Sequence, residues 1–163
     1  MYNEVDTFYC FLHIMNDLRW REMFKEGMAG IKMSLSFISE TLATTYPDVY
    51  NHFIEEMDNA DIEPYFIDIV MTAFVFSLMS VSPQIATHIF DVFLIEGERA
   101  IFQLIIKFID LQEKEILHQY EDNLPEYLKK RMPFECLKKY PMYQLLDFEA
   151  SIETAMYPDA NPM

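Results

Sequence analysis

Apolar residues recur along most of the chain at the three- and four-residue spacing of one face of an α-helix. The first such segment begins after Asn3, a residue whose side chain can cap a helix N-terminus. Its apolar positions, which this spacing places on one face, are Val5, Phe8, Tyr9, Leu12 and Met15. Trp20, Phe24 and Gly27 close this unit, and Gly30 gives the chain a position at which it can turn.

The same spacing predicts two further helices in the first half of the chain. The second helix carries its apolar stripe at Ile31, Leu35, Ile38 and Leu42. Pro47 starts a short third helix, because a proline at the first helical position loses no hydrogen bond. Its inward positions are Val49, Tyr50, Phe53 and Ile54. Residues 55–61 are polar and predict a loop.

The middle of the chain contains the most apolar predicted helix. It starts at Pro64 and is apolar nearly all round from Tyr65 to Met79, so we expect it to be buried on most sides. Ser82 and Pro83 then form a cap and a first helical residue for the next helix.

The last third of the chain is helical as well. Gly97 ends one helix as a residue that tolerates a left-handed conformation, and the next helix runs from 98 to about 119. Beyond it, Pro133 and Pro141 break the chain into shorter helical pieces. Residues 157–163 are expected to be frayed. The whole pattern predicts an all-α, orthogonally packed helical domain.

Composition narrows the classes of protein and of partner. A chain of 163 residues is long enough for one domain with its own core. Because 52% of the residues are apolar, burial can offset the entropy lost on ordering, which excludes intrinsic disorder. Only three glycines leave few tight hairpin turns, which argues against an all-β fold. The net charge of −15 disfavours nucleic acid and anionic membrane surfaces as partners.

No segment has the pattern of a membrane span or a secretory signal. The longest apolar stretch, from Ile69 to Val81, falls short of the roughly 20 residues that a transmembrane helix needs. The first residues lack the basic and apolar regions of a signal peptide. Cys10 and Cys136 form one disulfide or, as we favour, two reduced thiols, since their spacing fits no metal or redox motif. We therefore expect a cytoplasmic protein without membrane insertion.

Signatures of catalysis and cofactor binding are absent from the sequence. It contains no glycine-rich phosphate loop, no Gly-x-Ser-x-Gly elbow and no His-Glu-x-x-His motif. His13 and Asp17 stand four residues apart, which suits a surface hydrogen bond or, less commonly, half of a metal site. The acidic run at Glu55, Glu56 and Asp58 lacks the alternating oxygen ligands of a calcium loop. We expect no catalytic residue, no metal site and no cofactor.

A cluster of basic residues stands near the C-terminal end. Five of the twelve basic residues fall within eleven positions: Lys129, Lys130, Arg131, Lys138 and Lys139. Such a patch on an acidic chain suits an acidic protein surface or a phospholipid headgroup. The alternative, which we favour, is that these side chains hold the C-terminal helices against acidic neighbours.

Three segments, taken in order, resemble the C-terminal half of the TBC domain, the GTPase-activating module for Rab-family small GTPases. Residues 4–15 are similar to the family's helix that contains Asp-Ala-Phe-Trp. Residues 28–52 resemble its Pro-Gly-Leu and Leu-Pro-x-Leu-x-x-His motifs. Residues 88–97 are close to its Arg-Ile-Trp-Asp-x-Phe-Leu-x-Glu-Gly motif, and a long apolar helix follows, as in the family.

The resemblance covers the chain from residue 4 to about 120. The positions that carry it are Asp6, Phe8, Gly30, Pro47, His52, Asp91, Glu96 and Gly97. It implies that these residues serve the fold rather than catalysis. It also implies a TBC-like C-terminal helical lobe over residues 1–121, with residues 122–163 as a helical extension and tail of the same domain.

The chain departs from the family where catalysis is concerned. The family uses an arginine in an Ile-x-x-Asp-x-x-Arg motif and a glutamine in a Tyr-x-Gln motif, both in its N-terminal half. Neither motif occurs here, and the chain begins just after the position expected for Tyr-x-Gln. The arginines that fail to match the finger motif are Arg19, Arg21, Arg99 and Arg131. The family's Trp-Phe-x-Thr-x-Phe helix is also degraded, around Thr72 and Phe74.

Three hypotheses are open at this stage. The chain is a TBC-like binding protein without catalysis, for example a structural subunit of a larger assembly. Alternatively, it is the C-terminal lobe of an active Rab GTPase-activating protein whose catalytic half lies outside this chain, or an unrelated helical domain. With half of the module absent, we expect an exposed apolar patch that includes Phe8, Phe11 and Trp20. Such patches are typical of interfaces. The expected partner is a Rab GTPase, the missing TBC half or a larger complex, with any membrane association arising through that partner.

Overall fold

The computed structural model describes residues 3–56, 61–120 and 123–146. Its α-helices are α1 (Glu4–Leu12), α2 (Ala29–Thr45), α3 (Pro47–Glu56), α4 (Glu63–Thr72), α5 (Val75–Leu78), α6 (Pro83–Glu96), α7 (Glu98–Ile116), α8 (Asn123–Glu126), α9 (Met132–Lys139) and α10 (Met142–Leu145). Other helical turns lie between them, namely the π-helical turns His13–Asp17 and Tyr127–Arg131 and the 3-10 turn Trp20–Phe24. No β-strand occurs in the described ranges, and the predicted all-α class is confirmed.

Several helix starts follow the local chemistry expected from the sequence. The Asn3 side chain accepts a hydrogen bond from the Asp6 amide (2.8 Å) and so caps α1. The Ser82 hydroxyl accepts one from the amide three residues further on (3.4 Å). Pro47 and Pro83 are the first residues of α3 and α6, where a missing N–H costs nothing. These predicted starts are confirmed.

The core is built around α7. Eight of its residues are buried: Ala100, Ile101, Phe102, Leu104, Ile105, Phe108, Ile109 and Ile116. Phe102 packs edge-on against Phe37 of α2, with ring centroids 5.4 Å apart. Helices α6, α9 and α10 also contact α7, so one apolar cluster joins both halves of the described chain.

The prediction of one continuous apolar helix from Tyr65 to Met79 is wrong, because this segment forms two helices, α4 and α5. α4 ends at Thr72, and Ala73 and Phe74 both have positive φ angles (48° and 64°) before α5 begins. A residue other than glycine in the left-handed conformation costs about 1–3 kcal/mol of folding free energy. The break brings Phe74 into full burial against Phe108, with centroids 5.7 Å apart, and this burial offsets the strain.

Two predicted connections also differ from the structure. Gly30 is not a turn but the second residue of α2, and the reversal before it occurs at Gly27 (φ 78°) and Met28 (φ 53°). The loop predicted over residues 55–61 begins later, since Glu55 and Glu56 belong to α3. Residues 57–60 of that segment lie outside the described ranges, as do the terminal residues predicted to fray.

The segment from α8 to α10 covers one side of the core. Pro133 lies inside the first turn of α9 and does not break it. The π-helical turn before α9 adjusts the backbone there, because Pro133 has no N–H to donate to the Lys129 carbonyl. Pro141 separates α9 from α10 as expected. Cys10 and Cys136 are both free thiols, and burial raises the pKa of Cys136 to about 11.

Candidate interaction surface

Helix α1 presents an apolar face that no described part of the chain covers. None of its residues is buried, although its cap and the acidic Glu4 and Asp6 in the first turn favour a regular helix. The side chains of this face, with their exposed fractions, are Val5 (60%), Phe8 (57%), Tyr9 (65%) and Phe11 (50%). We refer to these four residues as the α1 face. Exposed apolar groups gathered on one helix are typical of an interface.

The π-helical turn after α1 holds that helix in place through His13. Its Nδ1 lies 2.9 Å from Oδ2 of Asp17, and its Nε2 lies 3.0 Å from the Leu94 carbonyl oxygen at the end of α6. A carboxylate and a carbonyl oxygen only accept hydrogen bonds, so both ring nitrogens donate when His13 is protonated. The hydrogen bond that the spacing of His13 and Asp17 suits is therefore present, and the other ring nitrogen ties the turn to α6.

The attachment of α1 is expected to depend on pH. The hydrogen bond to Asp17, followed by that to Leu94, raises the pKa of His13 above its ordinary value of 6.5. Because the folded pKa exceeds the unfolded one, this stabilisation is complete below pH 6.5 and is lost as the pH rises through the folded pKa. An NMR titration of the His13 ring should give a pKa above 6.5, and Asp17→Asn should lower it. A value at or below 6.5 would contradict this assignment.

Trp20 does not belong to the exposed patch, and its predicted exposure is wrong. Its side chain is only 6% exposed and packs edge-on against Phe93 of α6, with ring centroids 4.7 Å apart. The 3-10 turn directs Trp20 into the core, whereas Phe8 and Phe11 on α1 stay outside. Val5 and Tyr9 are exposed with them, so the face is broader than Phe8 and Phe11 alone. The helical spacing of Val5, Phe8 and Tyr9 marked a shared face but did not indicate whether that face meets the core or the solvent.

Two glycines of the segments that resemble the TBC domain, Gly30 and Gly97, lie close to residues 18–23, which follow the C-terminal end of α1. A Cβ on Gly30 would stand 2.7 Å from the backbone carbon of Glu22, so the start of α2 approaches the 3-10 turn more closely than a side chain permits. Gly97 has a φ of 67° and joins α6 to α7 next to Leu18.

A hydrogen bond that the sequence did not predict links α2 to α7. The Ser34 hydroxyl of α2 donates to the Glu98 carboxylate of α7.

Other residues that carry the resemblance to the TBC domain lie on α3 and α6. His52 on α3 is buried, and its Nε2 donates to the Gln119 carbonyl (2.8 Å) beyond the end of α7. Pro47 starts that same helix. Asp91 is exposed and Glu96 is half-buried on α6. His52 thus joins α3 to the chain beyond α7, whereas Asp91 and Glu96 lie on a different helix, α6.

Acidic neighbours pair with three residues of the basic cluster. Lys129 contacts Asp68 of α4 at 2.6 Å, across the fold. Lys130 contacts Glu126 at 3.5 Å, and Arg131 lies 3.7 Å from its own neighbour, Glu135. Arg131 also stands over the ring of Tyr127. Only the Lys129–Asp68 pair joins the C-terminal helices to another part of the fold, as the favoured interpretation requires, because the pairs of Lys130 and Arg131 lie four residues apart along one helical segment.

Comparison with known protein families agrees with this fold. The family model described as the Rab-GTPase-TBC domain matches residues 1–117. The chain therefore belongs to the Rab-GTPase-TBC domain family, and the hypothesis of an unrelated helical domain is wrong.

Individual relatives are much longer than this chain. The mouse Ecotropic viral integration site 5 protein and its human homolog are each 24% identical to it over 134 residues, which is 81% of this chain and 16% of each relative. GTPase-activating protein GYP5 of Saccharomyces cerevisiae is 23% identical over 130 residues, 80% of this chain and 14% of its own length. The chain thus spans less than a fifth of these relatives. No solved structure matches it.

The helices in the described part of the chain give no sign of a membrane span. Within residues 3–56, 61–120 and 123–146, none combines the length and the apolar character needed to cross a bilayer.

Proposed function

We propose that this chain is a protein-binding lobe of TBC type, which docks through the α1 face and does not accelerate GTP hydrolysis by itself. The observation that carries the proposal is the exposure of the α1 face on a helix without a single buried residue. Phe8 and Phe11 are 57% and 50% exposed, so complete burial of each would add about half of the ~1.5–3 kcal/mol that a fully buried side chain contributes. A bound partner would recover that free energy.

Charge indicates what kind of surface that partner presents. Glu4 and Asp6 flank the α1 face, Asp17 follows on the next turn, and α1 carries no basic residue. The whole chain has a net charge of −15. An apolar surface bordered by lysine or arginine complements these groups. Such a surface could belong to a Rab GTPase, to the other half of a TBC module or to a larger complex. We propose a cytoplasmic setting, with membranes reached through that partner.

The absence of catalysis rests on the residues needed at the γ-phosphate. GTPase activation places a guanidinium, and a group that orients water, against the charge that develops there. An arginine finger alone contributes about 10³–10⁵ in rate. The 163 residues contain neither the Ile-x-x-Asp-x-x-Arg nor the Tyr-x-Gln motif. Arg21 and Arg131 contact Glu22 and Glu135 in salt bridges, and Arg19 lies outside the α1 face.

Single-turnover GTP hydrolysis by a panel of purified Rab proteins tests the proposal. With this protein in excess, each Rab is expected to hydrolyse GTP at its intrinsic rate, because no finger residue reaches the phosphate. Acceleration of any Rab beyond that rate would show that the chain is catalytic.

Light scattering in the same samples tests docking. The wild-type protein is expected to associate at micromolar concentration, with a Rab protein or with itself. Phe8→Ser should weaken that association by roughly tenfold or more, as expected for an aromatic residue at the centre of an interface. Phe76→Ser is the matched control, because Phe76 is 75% exposed on α5 and should leave association unchanged. A monomer that binds no Rab protein, or equal effects of both variants, would contradict docking through α1.

A second candidate is the C-terminal lobe of an active Rab GTPase-activating protein. It is favoured by the relative from Saccharomyces cerevisiae, whose name describes a GTPase-activating protein and of which this chain matches 14%. In this case hydrolysis would accelerate only when a segment with both finger motifs is joined to the chain. Phe8→Ser should then abolish the acceleration, whereas Phe76→Ser should preserve it.

A further inference from the structure

An apolar groove lies between the first half of α6 and the corner that joins α9 to α10. Gln84, Ile85 and His88 form one wall, Leu137 and residues 140–142 form the other, and the enclosed volume is about 340 Å³. This groove is at the opposite end of α6 from the Leu94 carbonyl that holds His13. It is therefore a second surface, distinct from the α1 face.

Two lysines beside the groove set its charge. Lys138 and Lys139 occupy the last turn of α9, and Nζ of Lys139 lies 5.1 Å from the ring centroid of Tyr140, which lines the groove. Within residues 3–56, 61–120 and 123–146, neither lysine forms a salt bridge. The other three members of the basic cluster all do. An apolar groove next to two lysines without ion pairs selects a segment that is both apolar and acidic.

The chain itself contains such a segment directly after α10. Its large apolar side chains recur every four residues, which would place them on one face of a helix: Phe148, Ile152 and Met156. Its acidic side chains stand next to these apolar residues in the sequence: Asp147, Glu149 and Glu153. Residues 147–163 contain no lysine and no arginine.

The segment also begins within reach of the groove. Met142 lines the groove, and Leu146 follows it by one helical turn, about 6 Å along the axis. Phe148 is two residues further, which adds at most about 7 Å. We propose that residues 147–156 dock in this groove of their own chain, with Phe148 against the apolar lining and the acidic side chains against Lys138 and Lys139.

Hydrogen exchange on the full chain tests this docking. The probes are the amides of Tyr140 and Leu146, which donate to the Cys136 and Met142 carbonyls at the edge of the groove. Phe148→Ala combined with Ile152→Ala should accelerate their exchange roughly tenfold, because a buried apolar contact is lost. The amide of Gly97, at the far end of α6, should exchange at the same rate in both proteins.

Charge variants separate docking from general damage. Lys138→Glu combined with Lys139→Glu should accelerate the same two amides, and adding Glu149→Lys with Glu153→Lys should restore slow exchange. The matched control, Lys32→Glu with Lys114→Glu, makes the same charge change at two exposed lysines of α2 and α7 and should have no effect.

Two results would overturn the proposal. One is exchange at Tyr140 and Leu146 that does not change when Phe148 and Ile152 are replaced. The other is protection that rises with protein concentration, because it would assign the groove to the segment of a second copy. Neither result bears on docking through α1, since the two surfaces share no residue.

Discussion

Trp20→Ala is expected to lower the free energy of unfolding by about 3–5 kcal/mol. The side chain is 6% exposed and stacks edge-on against Phe93 at 4.7 Å, so its removal leaves a cavity between the 3-10 turn and α6. The loss would be a large part of the roughly 5–15 kcal/mol that stabilises a domain. Urea unfolding followed by far-ultraviolet circular dichroism measures it, because this is the only tryptophan in the chain and fluorescence would lose its probe.

Phe8→Ala is the matched control for that prediction. Phe8 is 57% exposed on α1, so its truncation should change the free energy of unfolding by less than about 0.5 kcal/mol. Trp20→Phe keeps most of the packed volume and should lose less than Trp20→Ala. Equal losses at Trp20 and Phe8 would mean that the two residues share one environment, contrary to the structure.

Gly30→Ala should destabilise the fold by about 1–3 kcal/mol, although alanine is the better helix former by about 1 kcal/mol. The added Cβ would meet the backbone carbon of Glu22 at 2.7 Å and its oxygen at 2.8 Å, and backbone atoms cannot rotate away as a side-chain end can. The α2 helix and the 3-10 turn must therefore separate. Thermal and urea unfolding of the variant against wild type measure the loss.

Gly27 provides the comparison, because its constraint is conformational and not steric. It has a φ of 78° and no atom within 4 Å of its missing Cβ. Asparagine tolerates the left-handed region, so Gly27→Asn should cost less than about 1 kcal/mol. Gly30→Asn should cost at least as much as Gly30→Ala. A stabilised Gly30→Ala protein would contradict the close approach of α2 to Glu22.

The sequence predicted most helices, because local chemistry is sufficient to start and stop them. Asn3 and Ser82 cap helices with their own side chains, Pro47 and Pro83 occupy first turns, and Gly97 takes a positive φ. Each of these roles depends on atoms within a few residues. The family followed from the same local patterns, taken in order along the chain.

The break between α4 and α5 could not be predicted in this way. The residues from Tyr65 to Met79 favour a continuous helix by their composition. Phe108 on α7 lies far along the chain, and Phe74 packs against it only because the helix breaks. The burial of Phe74 there compensates for the strain of two residues with positive φ. A contact between distant segments overrode the local preference.

The candidate interaction surface was predicted only in part. Periodicity places Phe8 and Phe11 on α1, and the resemblance to half of a TBC module suggested that they lack a cover. It also placed Trp20 with them, which is wrong, since the turn between Asp17 and Trp20 changes the direction of the chain.

By itself, the sequence determined that this protein is helical, where many of its helices begin and to which family it belongs. Those properties depend on side chains and backbone that are neighbours in the chain. The tertiary structure decided which apolar residues are buried, why Gly30 has no room for a side chain and which basic residues of the C-terminal cluster are paired. These properties depend on the distance between segments far apart in sequence, because periodicity shows which residues share a face but not what that face meets.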